Sequence, residues 1–365
     1  MTRQASVWLC GLPLFLAACA AAPAPSPPAG GGGYLVVAVG DSYASGQGAP
    51  DQPIDWWQLR FTPDWKNRRC NRSAFAGATQ AVALLQADPA FAGQPFTSRS
   101  FACSGASIER GMLAPYRGSE PPFDPADVLP PQVEAVAQLS QQRAIDALIM
   151  TIGGNDILFE YIVAACVLGT GGCDLIDPVL QQRLAALGGR LGRLADALAQ
   201  ANVPPNRVFL LEYPDPTTAT SGAWCDHQPT AELLGRVSSC EARWVSQCIL
   251  PQLNSRLCAI AEQRGWHYVG GMAGGFQRHG WCAANQWINT IGDSLRAQAH
   301  WRGGVHPNPD GYAYIAGATA AAVKDELLGA WTPPTTCAAP QLPAFCAAPC
   351  GVSLGAIGTP NAGPP

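Results

Sequence analysis

The sequence predicts an α/β fold: a parallel sheet of about five strands with helices on both faces. Two observations carry this. Short apolar runs alternate with stretches of helical spacing from residue 34 to 328, a pattern that calls for crossover connections and a parallel sheet. Three of the runs end in polar, glycine-rich turns, and a parallel sheet presents its chemistry at the carboxyl ends of its strands.

The elements follow in order. Residues 35–39 are apolar throughout, as in a strand buried on both faces. Phe75, Ala78, Val82 and Leu85 recur at helical spacing over 73–86. A second strand spans 97–103, a helix 131–142 and a strongly apolar third strand 145–152. A short helix is expected over 157–167. Leu184, Leu187, Leu191, Leu194 and Leu198 put one apolar face on a helix over 181–201. A fourth strand over 207–213 precedes a long helical region, 230–264, broken at Pro251. A fifth strand over 266–269 and a last helix over 311–328 complete the pattern. The loop 49–69 holds Trp56, Trp57, Phe61 and Trp65, expected to pack over the core, with the lining of a substrate cleft as the alternative.

The ends read differently. Residues 1–18 resemble a signal peptide, with Arg3 ahead of an apolar stretch too short to span a bilayer. Leu16-Ala17-Ala18-Cys19 is similar to a bacterial lipobox, which makes Cys19 the expected lipidation site; the plain alternative is ordinary cleavage after the alanines. Residues 19–33 form a Pro/Gly/Ala-rich tether with nothing to bury. The globular domain is expected over 34–329, and 330–365 as a Pro- and Cys-rich tail.

Hydrophobic residues make up 48% and charged residues 13%, as in a globular domain with long Gly/Pro connections. Net charge is −4 without any basic run, which argues against a nucleic-acid partner. Setting aside Cys10 and Cys19 leaves twelve of the fourteen cysteines, an even number. With an export signal this reads as a disulfide framework rather than redox chemistry. Cys-x-x-Cys spacing is absent, so no metal site is expected.

The turns carry the chemistry. Gly40-Asp41-Ser42, Ser104-Gly105-Ala106 and Gly153-Gly154-Asn155-Asp156 end the first three strands. Ser42 then sits at a helix start, where free N–H groups can bind an anion. The N–H groups of Ser42 and Gly105 and the side-chain amide of Asn155 can converge on one oxyanion. Capping a helix is the blander role for Ser42. Of the five histidines, His306 is best placed as a base, in a loop stiffened by Pro307 just before the last helix. His267 belongs to a strand, and His227, His279 and His300 to loops. Asp41 and Asp156 are expected to hold their turns through backbone N–H groups, and Ser45 and Ser107 to support helix starts.

GDSYASGQG, CSGAS, GGND and VHPN, in this order, resemble the four blocks of the SGNH (GDSL) hydrolases over 34–328. Cys70-Asn71-Arg72-Ser73, Pro131-Gln132 and Gly275-Phe276, with His279 and Cys282, are similar to the secreted actinobacterial esterase branch. The resemblance implies a three-layer α/β/α sandwich and hydrolysis of carboxylic esters without a metal; the expected substrate is a small-molecule or lipid ester, no cofactor is expected, and the chain is expected to be a monomer. It implies Ser42 as nucleophile, His306 as general base, and Ser42, Gly105 and Asn155 as oxyanion hole. Most of the family has an Asp three residues before the histidine; here that position is Gly303. The branch uses a backbone carbonyl there, so the resemblance implies a Ser–His dyad oriented by Gly303, with Asp293 as the alternative acid. It also implies disulfides Cys70–Cys103, Cys166–Cys173 and Cys225–Cys282, and leaves Cys240, Cys248, Cys258, Cys337, Cys346 and Cys350 unassigned. Membrane contact is expected only through the N-terminal lipid anchor. The rival reading is an envelope lipoprotein with a degenerate site that binds glycans or a partner, and Gly303 is the residue that leans toward it.

Overall fold

The computed structural model describes residues 32–168, 176–226, 237–332, 337, 339–347 and 350. The signal segment, Cys19 and most of the tether lie outside these residues, as do Cys173 and His227. Five strands form one parallel sheet: β1 (Tyr34–Gly40), β2 (Phe96–Ser100), β3 (Ala147–Thr151), β4 (Val208–Leu211) and β5 (His267–Val269), in the order β2-β1-β3-β4-β5. β1, β3 and β4 are buried along their whole length, as their unbroken apolar runs require. β2 is an edge strand, FTSRS, and its polar residues stand half-exposed or in solvent.

The helices cover both faces, giving the three layers expected. The chain first makes the short α1 (Ser42–Ser45) after β1. α2 (Gly77–Ala87) packs against α10 (Pro309–Leu327) on one face. On the other lie α3 (Gln132–Ser140), α5 (Asp177–Gln200) and α7 (Leu250–Arg264). α5 buries Leu184, Leu187, Leu191, Leu194 and Leu198, the predicted stripe, along its inner side. α4 (Phe159–Leu168), α6 (Ser239–Trp244), α8 (Met272–Gly275) and α9 (Ile291–Gln298) fill the connections. The break expected at Pro251 is a five-residue π segment, Val245–Ile249, between α6 and α7. Pro251 stands in the first turn of α7, directly after the π segment.

The cysteines pair in long range. Cys70–Cys103 and Cys225–Cys282 form as the resemblance implied. Cys166 is also disulfide-bonded; its expected partner lies outside the described residues. Three further bridges, Cys240–Cys350, Cys248–Cys346 and Cys258–Cys337, staple the tail to α6, the π segment and α7. No helix among the described residues is long and apolar enough to cross a membrane. The loop 49–69 departs from expectation. Its tip is closed by mutual backbone bonds between Asp55 and Arg60, and Trp57 is 98% exposed. Trp56 packs on Phe61 of the same loop instead of on the core.

Strand register fixes where the turns meet. Gly40 pairs with Thr151, so β1 and β3 end level. Gly40 has φ 124°, a conformation that L side chains rarely adopt, and a Cβ there would strike the Thr151 carbonyl. The Gln132 amide closes on the same residue from α3: Gly40 N donates to Oε1 at 2.7 Å and Nε2 donates to Gly40 O at 2.9 Å. Gln132 is buried, so these bonds have no competition from water. Gln132→Ala should therefore lower the unfolding free energy by about 2 kcal/mol in urea titration; an unchanged midpoint would show that the clamp is redundant.

Candidate functional site

Three strand-end turns and one loop assemble the site. Asp41 caps α1, its Oδ1 accepting from Tyr43 N at 3.0 Å, and Ser42 is the first residue of that helix, where N–H groups lack intrahelical partners. The β2 turn is laced to this one: Ser45 and Ser104 hydroxyls lie 2.9 Å apart, and Cys103 N donates to Gly40 O at 3.0 Å. Ser45 thus ends α1 and ties it to the neighbouring turn, rather than starting a helix. Ser107 likewise closes a turn, accepting from Arg110 N at 3.3 Å. Asn155 Nδ2 donates to Ala106 O at 2.8 Å, which sets its amide beside Gly105 and leaves its second N–H to donate elsewhere. Gly105 and Asn155 line one open cleft of about 580 Å³.

The two buried aspartates hold turns, as expected. Asp41 Oδ2 accepts from the Tyr213 hydroxyl, which accepts in turn from Gly154 N at 2.9 Å. This chain runs from the residue before Ser42 to the residue before Asn155. Burial pushes the Asp41 carboxyl up to about 7, while the bonds from Tyr213 and Tyr43 oppose the shift. Asp156 Oδ2 accepts from Ile108 N at 3.0 Å, and burial raises its carboxyl to about 6 against the pull of that bond and of Arg190.

His306 and Ser42 are brought into contact. Both are buried, and Ser42 Oγ lies 2.7 Å from His306 Nε2. His306 Nδ1 lies 2.9 Å from Gly304 O. A carbonyl can only accept, so Nδ1 carries the proton and Nε2 offers its lone pair to the serine hydroxyl. The orienting carbonyl is therefore that of Gly304, not of Gly303 as the sequence led us to expect. The reason is local. Gly303 ends a 3₁₀ turn, Trp301–Gly303, and its N–H donates to Ser294 Oγ at 2.8 Å. A Cβ at 303 would stand 2.7 Å from that oxygen, so no side chain fits there without displacement. Val305 then adopts φ 59°, the left-handed region, and folds the imidazole back over the Gly304 carbonyl.

A β-branched residue in this region costs on the order of 1–3 kcal/mol, and three contacts hold it. Val305 N donates to Asn289 O at 2.8 Å, and Val305 O accepts from the Tyr43 hydroxyl at 2.6 Å. Asn289 N donates to His306 O at 2.9 Å. The Asn289 side chain adds bonds to Gly48 O and His306 O at 3.0 and 3.1 Å. Asn289 and Tyr213 were missed in the sequence; no motif marks them, because their roles arise from contacts across the fold. Asp293, the alternative acid, is spent on its own helix. Its Oδ2 accepts from Thr290 and Gln286 and its Oδ1 from Arg296, closing a capping box at α9.

Of the other histidines, His267 lies in β5 with Nε2 3.1 Å from Glu326, His279 stacks on Trp287, and His300 is 3.9 Å from Glu120. None of these contacts joins the Ser42 site.

The chain matches the model of the GDSL-like lipase/acylhydrolase family over residues 38–314 and belongs to that family. No curated protein matches it. Among solved structures it is similar to an extracellular lipase from Streptomyces rimosus, at 19% identity and a TM-score of 0.46, covering 78% of this chain and 98% of that one. It is similar to phospholipase A1 from Streptomyces albidoflavus NA297, at 20% identity and a TM-score of 0.44, with the same coverages. It is also similar to a carbohydrate acetylesterase family member from Sinorhizobium meliloti, at 11% identity and a TM-score of 0.36, covering 81% of this chain and 99% of that one. Likenesses this distant carry no argument about substrate.

Burial also sets the protonation of the site. It pulls the His306 imidazole down to about 4, against the opposing pull of the Gly304 carbonyl. A depressed imidazole stays neutral above that pH, so His306 is poised as an acceptor throughout the weakly acidic range. Titration of the imidazole by NMR should show a midpoint near 4; a midpoint at the ordinary value of about 6.5 would mean that the ring is solvated.

Proposed function

We propose that the chain is a serine ester hydrolase. The observation that carries this is the hydrogen-bond relay from Ser42 Oγ through His306 to the Gly304 carbonyl. His306 Nε2 takes the Ser42 proton as Oγ attacks the ester carbonyl carbon. The negative charge that develops on the carbonyl oxygen meets the N–H groups of Ser42 and Gly105 and the amide of Asn155. The C–O bond to the alcohol breaks, and the imidazolium returns its proton to the leaving oxygen. Water then attacks the acyl-enzyme by the same steps and frees the acid.

Gly304 orients the imidazole and fixes its tautomer. A carbonyl stabilises the imidazolium less than a carboxylate does, in keeping with a ring that protonates only at low pH. The substrate class is a small-molecule or lipid carboxylic ester. The degenerate-site reading loses its ground, because the position left empty at Gly303 is answered by the neighbouring carbonyl.

Hydrolysis of p-nitrophenyl acetate tests this. Ser42→Ala and His306→Ala should each lose about a thousandfold or more in kcat, and full activity in Ser42→Ala would refute the nucleophile. Asp293→Asn should stay within a few-fold of the parent, whereas losing a triad carboxylate costs roughly 10⁴-fold.

The long-range disulfides favour an oxidising compartment. We propose export with lipidation at Cys19, with 34–329 as the catalytic domain. Mass spectrometry of the mature N-terminus should find a diacylglyceryl-modified cysteine; an unmodified chain starting after Ala20 would exclude the anchor.

A further inference from the structure

The aromatic loop that follows α1 is a hairpin. Bridges Gln52–Asp64 and Asp55–Arg60 pair its two arms, and Trp56-Trp57-Gln58-Leu59 makes the turn at its tip. Trp56, Trp57 and Leu59 are 70%, 98% and 73% exposed, and Phe61 beside them 55%. The hairpin is rooted at the edge of the sheet that bears the site. Its first arm leaves α1, and Ile54 N donates to Ala297 O of α9 at 3.0 Å. α9 in turn holds the turn 301–303 through Ser294 Oγ and Gly303 N. That turn carries Trp301, exposed as well, and Arg302, which lines the cleft of Gly105 and Asn155.

The fold itself gains nothing from this exposure. Leu59 has φ 54°, a left-handed backbone that a bulky side chain resists, yet that side chain stands in solvent. The tip's backbone donors, by contrast, are already paired. Asp55 and Arg60 exchange bonds at 2.9 and 2.8 Å, Trp57 N and Gln58 N donate to Asp55 Oδ1 at 3.0 and 3.1 Å, and Leu59 N donates to Trp56 O at 3.3 Å. A backbone satisfied in this way can leave water without orphaned donors. A sugar would ask for a flat ring face flanked by free polar side chains. Trp56 instead meets Phe61 edge-on at 67°, and Asp55 is taken up by the backbone. Cations border the patch although the whole chain carries a net charge of −4. Lys66 and Arg302 are exposed, and neither has a carboxylate at ion-pair distance among the described residues. Asp51 accepts from Ala74 N, and Asp64 faces Arg60 at 3.9 Å.

We propose that this hairpin docks on an anionic phospholipid bilayer, with Trp56, Trp57, Leu59 and Phe61 entering the headgroup region and Lys66 and Arg302 meeting lipid phosphates. It is a second membrane contact beside the anchor expected at Cys19, and it does not depend on the ester-hydrolase reading. Tryptophan favours that depth, where its ring is half in lipid and its N–H in water. Each nearby cation strengthens attraction to anionic headgroups. The twelve residues between Cys19 and residue 32 reach at most ~45 Å, so an acylated Cys19 keeps the domain within range of the same bilayer. Docking by the hairpin turns the edge that bears Ser42 toward the lipid.

Co-sedimentation with vesicles of equal parts phosphatidylcholine and phosphatidylglycerol tests this, using the mature chain from Ala21, which carries no acyl group. The parent should sediment with these vesicles and bind several-fold less to phosphatidylcholine alone. Trp57→Ser and Leu59→Asn should each lower the partition coefficient by about tenfold. Leu59→Asn should melt no lower than the parent, because asparagine accepts the left-handed backbone. Both variants should hydrolyse p-nitrophenyl acetate in solution as the parent does. A parent that stays in the supernatant, variants that bind within about twofold of it, or equal binding to both kinds of vesicle overturns the inference. Retention on insoluble polysaccharide that Trp57→Ser abolishes, without vesicle binding, overturns it in favour of a sugar platform. Ser42→Ala should bind vesicles like the parent, so docking and catalysis stand or fall separately.

Discussion

Val305 turns left-handed, and the site depends on that turn. It lets His306 reach back two residues to the Gly304 carbonyl while its other nitrogen faces Ser42. A local backbone acceptor requires no acid brought from another element. It does require that a strained residue be held, and the holding contacts come from three places: the Asn289 backbone, the Asn289 side chain and the Tyr43 hydroxyl. Tyr43 follows Ser42 directly, so the helix that presents the nucleophile also fastens the loop that presents the base. The two halves of the relay are therefore positioned by the same hydrogen bonds rather than by separate frameworks.

The sheet supplies the other constraint. Level ends on β1 and β3 bring Ser42 and Asn155 to one edge, and Asp41 and Tyr213 bind the two turns together behind the reacting atoms. The Cys70–Cys103 bridge and the Ser45–Ser104 contact fix the β2 turn to the same edge. Each donor that we assign to the oxyanion hole is thus backed by a buried polar link, which is what preorganisation demands of a site that must not rearrange as charge develops.

Much of this was legible in the sequence. The unbroken apolar run at 35–39 and the strongly apolar one at 145–152 read as interior strands, and the polar turns behind them had to share an edge. Ser42, Gly105, Asn155 and His306 stand on those turns or on a loop that ends beside them. Other features were hidden for physical reasons. Nothing in Gly303-Gly304-Val305 tells which carbonyl an imidazole will choose, because the answer lies in a dihedral angle set by Asn289 and Tyr43. The aromatic loop misled: Trp56 and Trp57 looked like core residues by composition, yet a tight turn at 55–60 carries them into solvent. The tail bridges were unreadable because six cysteines without spacing constraints allow many pairings.

The central claim is that a carbonyl-oriented histidine activates Ser42. Treating the purified mature protein with a fluorophosphonate probe and locating the label by peptide mass spectrometry tests it most directly, with His306→Ala alongside. The account predicts label on Ser42 in the parent and its loss in His306→Ala. A folded parent that takes no label, or one that labels equally well without His306, would contradict it.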